Sequence, residues 1–364
     1  MSKQKIIVSV TNDLVTDQRA DKICSTLMEL NFEVILVGRF LKDSQLISRN
    51  YETKRFKLWF NKGPLFYANY NIRLFIFLIC RQPNALWSND LDTLPANFLV
   101  SKLKKIKLIF DSHEYFTEVP ELINRPLTQS FWKRIEKGLL PRIKHVITVS
   151  QSIVNLFEKE YNIKVLLLRN VPVLQKKEIQ VGNIKVEGKK IILYQGALNM
   201  NRGIEYMVQA MQYLDNGILY LLGGGDISQN ISALIIELQL QKKVILLGKI
   251  PYEKLHGYTQ QADIGLSLEE DAGLNYRFAL PNKLFDYVHA EIPILVSNLP
   301  EMKNLVMQYE IGDCIENHDP KHIAKKITEM LKDDDQIAFW KANCKKATLA
   351  LNWDNEKQVI SSLF

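Results

Sequence analysis

Arg202 is the residue on which phosphate chemistry would turn first. It lies in GALNMNRG (196–203), where an apolar run ends at Gly196 and Gly203 opens a helical pattern. A guanidinium beside the free amides of a helix N-terminus concentrates donors and positive charge, which suits a diphosphate. The plain alternative is a strand-to-helix turn with a surface arginine. LLGGGD (221–226) sets Gly223, Gly224 and Gly225 after a second apolar run. Glycines admit positive φ and close backbone approach to a ligand, although many such loops are glycine-rich without touching one. FALPNKLFDYVHAEIPILVSNLPE (278–301) is the most informative stretch: Pro281 and Asn282 precede a helix expected from Lys283, and Asp286 lies one turn inside it. Lys283 and the first-turn amides can meet phosphate, and a carboxylate such as Asp286 suits the paired hydroxyls of a ribose. Otherwise this is an amphipathic helix with solvated charges.

In the first half, DSHEYF (111–116) puts His113 and Glu114 at a strand end. An imidazole there can polarise a sugar hydroxyl or a developing charge; a histidine satisfied by local hydrogen bonds is the competing reading. His318 and His322 straddle Pro320 and read as surface residues. No cluster has zinc or magnesium spacing, so no metal is expected. KRFKLWFNKGPLFYANYNIRLFIF (54–77) interleaves cations with Trp59, Phe60, Phe66, Tyr67 and Tyr70, and KLKKIK (102–107) adds four lysines. Such segments rest on anionic lipid headgroups, or are ordinary core with a solvated face. No nucleic-acid reader motif accompanies them, so no nucleic-acid partner is expected.

These residues need strand ends to hold them. KIIVSV (5–10), the helical pattern from Asp17 to Leu30 and FEVILVG (32–38) form a βαβ unit. Strands follow at 85–89, 107–112, 145–150 and 164–170, with Ser150 as N-cap of a helix over 151–161. The polar stretch 170–188 reads as a linker. A second series has strands at 191–196, 218–225, 243–249, 263–268 and 293–297, with helices over 203–213, 230–240, 252–261, 283–290 and 322–331. The expectation is an α/β protein of two Rossmann-like, doubly wound parallel-sheet domains facing across a cleft, with ligands beyond the C-terminal strand ends. Asn89-Asp90, His113-Glu114, Gly196, Gly223 to Gly225 and Glu269-Glu270-Asp271 all lie at such ends.

Composition agrees. A chain of 364 residues exceeds one hydrophobic core, and 47% hydrophobic with 24% charged residues excludes a disordered class. The start, MSKQKIIVSV, shows no signal-peptide apolar region, and the four cysteines lack paired spacing, so a cytoplasmic location with reduced thiols is expected. The most apolar stretch, Leu74 to Cys80, is flanked by Arg73 and Arg81 and is too short to span a bilayer. Residues 1–170 hold 26 Lys/Arg against 16 Asp/Glu, a balance of +10, whereas 171–364 hold 21 against 24, a balance of −3. Basicity belongs to the first domain and implies an acidic partner.

In order and spacing, the HE pair at 113–114, VITVSQSIVNLF with its following RNVP, YQGALNMNRGIEYMVQA, LYLLGGGD, VILLGKIPYEKLHGYTQQADIGLSL and LPNKLFDYVHAEIPILVSNLPE resemble glycosyltransferase family 4, retaining enzymes of the GT-B fold. The resemblance implies an acceptor-side domain over 1–172, a nucleotide-sugar donor domain over 173–349, and a last helix, about 350–364, packing back on the first. It implies metal-independent transfer of a hexose-type sugar from a UDP- or GDP-linked donor, with no further cofactor, to a glycan or lipid-linked acceptor of cell-surface polysaccharide synthesis. With the basic first domain, the expectation is an enzyme resting on the inner membrane face. Arg202 then holds the donor diphosphate, Asp286 is the second acid of the E-x7-E motif and binds ribose, Gly248 to Pro251 (with Lys249) lie along the base, and His113 lines the sugar end. The donor set is Gly196, Arg202, Gly224, Gly225, Lys249, Glu270, Asn282, Lys283 and Asp286. The catalytic set is His113, Arg202 and Lys283, and the acceptor-side set is Asp17, Arg19, Asp90 and Glu114.

Three departures bear on this. Ala197 stands where the family often has arginine. Phe278 stands where the first acid of E-x7-E belongs, leaving Glu270, Asp271 or Asn275 to supply its contact. TNDLVTDQRAD (11–21) lacks the usual glycines, so Asp17 and Arg19 shape the acceptor site instead. Phe278 also favours the alternative of a catalytically silent carbohydrate-binding relative; a nucleotide-sugar epimerase is the rival within enzymes.

Overall fold

The apolar runs become buried parallel strands, and the amphipathic segments between them become the crossovers. A computed structural model describes residues 3–15, 17–42, 44–174, 184 and 188–364. The chain separates into two units, Met1–Asn170 with Glu356–Phe364, and Val171–Asn355. The expected linker, 170–188, lies largely outside the described residues.

In the first unit the strands are β1 (Lys5–Asp13), β2 (Glu33–Phe40), β3 (Glu52–Lys57), β4 (Ala85–Asn89), β5 (Lys107–Ser112), β6 (His145–Thr148) and β7 (Val165–Leu167). They pair in parallel in the order β3-β2-β1-β4-β5-β6-β7. The helices are α1 (Gln18–Glu29), α2 (Gly63–Cys80), α3 (Asp90–Lys104), α4 (Pro120–Ile123), α5 (Pro126–Leu139) and α6 (Gln151–Tyr161). Ile6, Ile7 and Val8 are buried in succession, because helices cover both faces of a parallel sheet. Asp17 caps α1 by accepting the Ala20 N–H, and Ile23, Cys24 and Leu27 turn inward. Ser150 occupies the N-cap position of α6, with no side-chain capping bond to its first turn. β3 has no counterpart in the sequence reading: ETKRFK is an edge strand, alternately exposed, and lacks the apolar run by which its neighbours are recognised. The aromatic–basic stretch after it forms α2, which buries Phe66, Tyr70, Leu74 and Leu78.

The second unit holds β8 (Lys190–Gln195), β9 (Gly217–Leu222), β10 (Val244–Gly248), β11 (Ile264–Ser267), β12 (Ile294–Ser297) and β13 (Gly312–Ile315), ordered β10-β9-β8-β11-β12-β13 and again parallel. Its helices are α7 (Ile204–Ala210), α8 (Ser228–Glu237), α9 (Tyr252–Thr259), α10 (Leu274–Arg277), α11 (Asn282–His289), α12 (Pro300–Tyr309), α13 (Pro320–Lys332) and α14 (Asp334–Thr348). The core gathers Ile192, Tyr194, Met207, Leu221, Ile264 and Ile323. α13 starts two residues before the expected position, because Asp319 accepts the His322 N–H and Pro320 fits the first turn. Two short helices, α15 (Trp353–Glu356) and α16 (Gln358–Ser361), close the chain. Trp353 stays with the second unit, donating its N–H to Pro172 O at 2.9 Å. The last residues lie on the first: Glu356 pairs with Arg169 at 2.6 Å, and the Phe364 ring lies 4.6 Å from that of Phe32.

Each unit is therefore the doubly wound parallel sheet that the sequence predicted. The strand order reverses between β1 and β4 in one, and between β8 and β11 in the other. Ligands of such sheets bind where the order reverses, outside the strand ends.

Candidate functional site

At the β8/β11 reversal the chain brings two cations onto one buried carboxylate. β8 ends in Gln195 and turns at Gly196, whose φ is 135°. β11 runs out through Leu268 to Glu269, which is fully buried. Lys283, on the first turn of α11, donates to Glu269 Oε1 at 2.7 Å, and Arg202 Nη1 lies 3.5 Å from the same oxygen. Glu269 Oε2 accepts from the Ser267 hydroxyl at 2.7 Å. The Tyr194 ring lies 4.1 Å from Lys283 Nζ, and the Tyr276 ring underlies Arg202 at 5.2 Å.

Close backbone contact makes this possible. Gly203 has φ 69°, and a Cβ there would fall 1.9 Å from Leu268 O, so only glycine lets α7 start against β11. At Gly223 a Cβ would fall 1.8 Å from Gly196 O, which locks the two glycine turns together.

The electrostatics follow from burial. It pushes the Lys283 ammonium down to about 8; Glu269 opposes that shift and Arg202 assists it. Burial would raise the Glu269 carboxyl, but Lys283 and then Arg202 hold it below the ordinary glutamate range. The triad carries a net single positive charge, facing a strand end where an anion is favoured.

Asp286 lies one turn further along α11. Its Oδ2 accepts from Gln195 Nε2 at 2.8 Å, and Gln195 Oε1 accepts from the Thr259 hydroxyl at 2.7 Å. These three line a cavity of about 310 Å³ with Tyr252, His256 and His289. A Cβ on Gly196 would lie 3.6 Å from Lys283 Cε, so the turn at Gly196 borders the triad.

The other donor candidates are dispersed. Lys249 is exposed and lies over Gly224, whose Cβ position is 3.3 Å from the lysine Cε; Gly225 and Asn282 are exposed. Glu270 is half-buried outside the triad, its N–H bonded to Asn201 O, and Asp271 pairs with exposed Arg277 at 2.6 Å. The acid that meets the cations is thus Glu269, which the sequence reading noted at the strand end but passed over for its neighbours. The signal is position: Glu269 follows directly on the buried run through Leu268, whereas Glu270 is half-buried and Asp271 exposed. His318, expected at the surface, is instead half-buried, its Nε2 3.0 Å from Leu268 O and its ring against Tyr206.

The β1/β4 reversal in the first unit gathers His113, Asp90, Asp111 and Arg19. Arg19 is buried, donates to both oxygens of Asp111 at 3.1 and 2.7 Å, and gives its remaining Nη1 to Leu168 O at 2.9 Å. It is committed to holding Asp111. His113 Nε2 lies 3.0 Å from Asn89 Oδ1, and Nδ1 lies 3.4 Å from Asp90 Oδ2. Burial alone would lower the imidazole, but Asp90 and Asp111 raise it to about 9, so His113 is a cation at neutral pH. Asp90 keeps φ 55°, the left-handed region, while its Oδ1 accepts the His113 N–H at 2.8 Å. Asp17 Oδ1 caps α1 while its Oδ2 is buried without a hydrogen-bond partner among the described residues, and the Glu114 carbonyl accepts from Ser112 Oγ at 2.7 Å. Asp92, not foreseen, is pushed to about 7 by burial and then by Asp90.

Residues 18–168 fit the family model described as Glycosyltransferase Family 4, and residues 175–347 fit the one described as Glycosyl transferases group 1. The chain belongs to glycosyltransferase family 4. The family 4 chain is 25% identical over 175 residues to an uncharacterized glycosyltransferase of Methanocaldococcus jannaschii, covering 46% of this chain and 43% of that protein. It is 23% identical over 176 residues to a D-inositol 3-phosphate glycosyltransferase of Xylanimonas cellulosilytica, covering 45% and 39%. These matches thus span about two fifths of the curated relatives' length. Among solved structures it resembles sucrose-phosphate synthase from Thermosynechococcus elongatus, with a TM-score of 0.83, 18% identity, and coverage of 99% and 98%. Anabaena HepE in complex with UDP-glucose gives a TM-score of 0.74 at 12% identity, covering 99% of each chain. These likenesses show the fold of the family 4 chain to be that of the GT-B glycosyltransferases.

Proposed function

We propose that the chain transfers a hexose-type sugar from a UDP- or GDP-linked donor, with retention at the anomeric carbon and without a metal ion, to a glycan or lipid-linked acceptor of cell-surface polysaccharide synthesis. One observation carries the reading: Arg202 and Lys283 converge on Glu269 at the β8/β11 reversal, beside Gly196 and the N-terminus of α11. Glu269 holds both cations in place, and a diphosphate arriving there meets two fixed positive charges with free helix amides alongside. Those charges stabilise the departing nucleotide diphosphate, the role a divalent ion plays in other transferases. Asp286, already bonded to Gln195, is placed to accept from ribose hydroxyls. His113, protonated and braced by Asp90 and Asp111, contributes positive charge on the acceptor side. The likeness to a chain solved with UDP-glucose supports a nucleotide-sugar donor.

The test begins with thermal shifts against a panel of UDP- and GDP-sugars, since a ligand binding the native state raises its melting temperature by mass action. Nucleotide release is then followed with oligosaccharide and lipid-linked acceptors, with and without EDTA, and the product anomer is read by NMR. Total loss in EDTA removes the metal-free claim, an inverted product removes retention, and stabilisation by no nucleotide sugar removes the reading altogether. Phe278, in place of an acid, favours a second reading, a carbohydrate-binding protein without turnover. Donor stabilisation with no release across the acceptor panel would support it.

A further inference from the structure

The outer side of α2, α3 and α5 is apolar beyond anything the first unit's core requires. α2 already buries Phe66, Tyr70, Leu74 and Leu78; on its other side Leu65, Ile72 and Ile76 follow i, i+7, i+11 spacing and are more than half exposed. α3 adds Leu99 and Leu103, and α5 adds Leu127 and Phe131, each pair at i, i+4 and with exposures between 54% and 88%. The three crossovers run in one direction across the sheet, from β3 to β4 to β5 to β6, so right-handed connection puts them on one face. α2 packs on α3 and α3 on α5, and the Tyr67 and Trp132 rings meet edge-on at 5.1 Å. The exposed apolar residues therefore lie together on one helical side of the sheet.

Charge decides what this surface fits. The charged side chains of these helices that reach solvent are the cations Arg73, Lys102, Lys104, Lys133, Arg134 and Lys137, with half-buried Asp90 as the one acid beside them, and Lys133 is bridged to Glu118 at 2.5 Å. Their acids turn away: Asp92 and Glu136 are buried, and Asp90 is held against His113. In the segment before α2, Trp59 is 79% exposed beneath the Arg73 guanidinium, an aromatic–cation pairing suited to a headgroup layer. A second copy of the same face would set cation against cation. Among the described residues no helix is long and apolar enough to cross a membrane, so the surface would lie on one.

We propose that the α2–α3–α5 face docks on an anionic lipid bilayer, its leucines and isoleucines entering the acyl boundary while its cations meet headgroup phosphates. This stands apart from the transfer reaction and survives its failure. The full chain is centrifuged with phosphatidylcholine vesicles, and with vesicles in which about one third of the lipid is phosphatidylglycerol. The wild type should bind the anionic vesicles at least about tenfold more tightly, and Ile76→Glu with Leu103→Glu should abolish that preference while leaving the melting temperature unchanged. Should that pair disturb the fold, Arg134→Ser with Lys137→Ser should weaken binding several-fold without touching the core. Wild type that stays in the supernatant with both vesicles overturns the proposal. So does a lipid-independent dimer that the same substitutions disperse, since the face would then belong to a second copy.

Discussion

Donor binding should lose strength as Lys283 loses its proton, and the structure sets the window. The ammonium titrates at about 8 against an ordinary 10.5 because it is buried, a displacement of roughly 3 kcal/mol. A bound diphosphate adds negative charge beside it and restores the protonated form, so binding takes up a proton when pH exceeds that value. Most of the lysine is charged at about pH 7.5 and about one tenth at pH 9; the Kd for UDP or GDP should therefore rise about tenfold over that interval. Isothermal titration in phosphate and in Tris, whose ionisation enthalpies differ, should register about half a proton taken up per nucleotide near pH 8. Lys283→Arg separates cause from coincidence, because a guanidinium does not titrate there. Its Kd, whatever its absolute value, should be flat across the window. A flat wild-type profile, or the same slope in Lys283→Arg, would refute the reasoning. The free chain should show the converse linkage: the folded state disfavours the ammonium, so stability rises with pH from about 8 toward 10.5.

Arg202→Ala should cut nucleotide release about 100-fold or more with an unchanged circular dichroism spectrum; near-wild-type turnover would remove Arg202 from the site. Glu269→Gln leaves a buried lysine without its counter-charge, so the melting transition should drop by the equivalent of about 3–5 kcal/mol, partly recovered by added nucleotide diphosphate. Gly203→Ala forces a Cβ onto Leu268 O and should cost about 3 kcal/mol or more in urea unfolding. For His113 the raised value of about 9 means its contribution is complete below about pH 6.5 and lost as pH rises through 9. His113→Gln should remove that alkaline decline from a stability–pH curve.

The fold was legible where burial wrote it into the chain. Runs such as KIIVSV and ILYLL are apolar because both faces of a central parallel strand are covered, and the glycines at 203 and 223 mark contacts no side chain survives. Edge strands escape this logic. ETKRFK at β3 has a partner on one side only and reads as a charged loop, and GDCI at β13 is too short to announce itself. In the site, Arg202, Lys283 and Asp286 stood out by their place beside helix starts. Glu269 did not, because a triplet of acids gives no local cue as to which one turns inward. That choice is made by Lys283, fourteen positions away in the sequence. The pairing of Arg19 is hidden for the same reason: its partner Asp111 arrives from a distant strand.

The charged border strand β3 has a consequence for behaviour at high concentration. Lys54 and Lys57 stand exposed on it, while Arg55 pairs with Asp13 at 3.6 Å. Two molecules meeting there would bring these lysines into the seam while trying to zip their backbones together. Growth of the first sheet from one molecule into the next is therefore opposed at that margin, and crowding alone should not drive fibre-like polymerisation there.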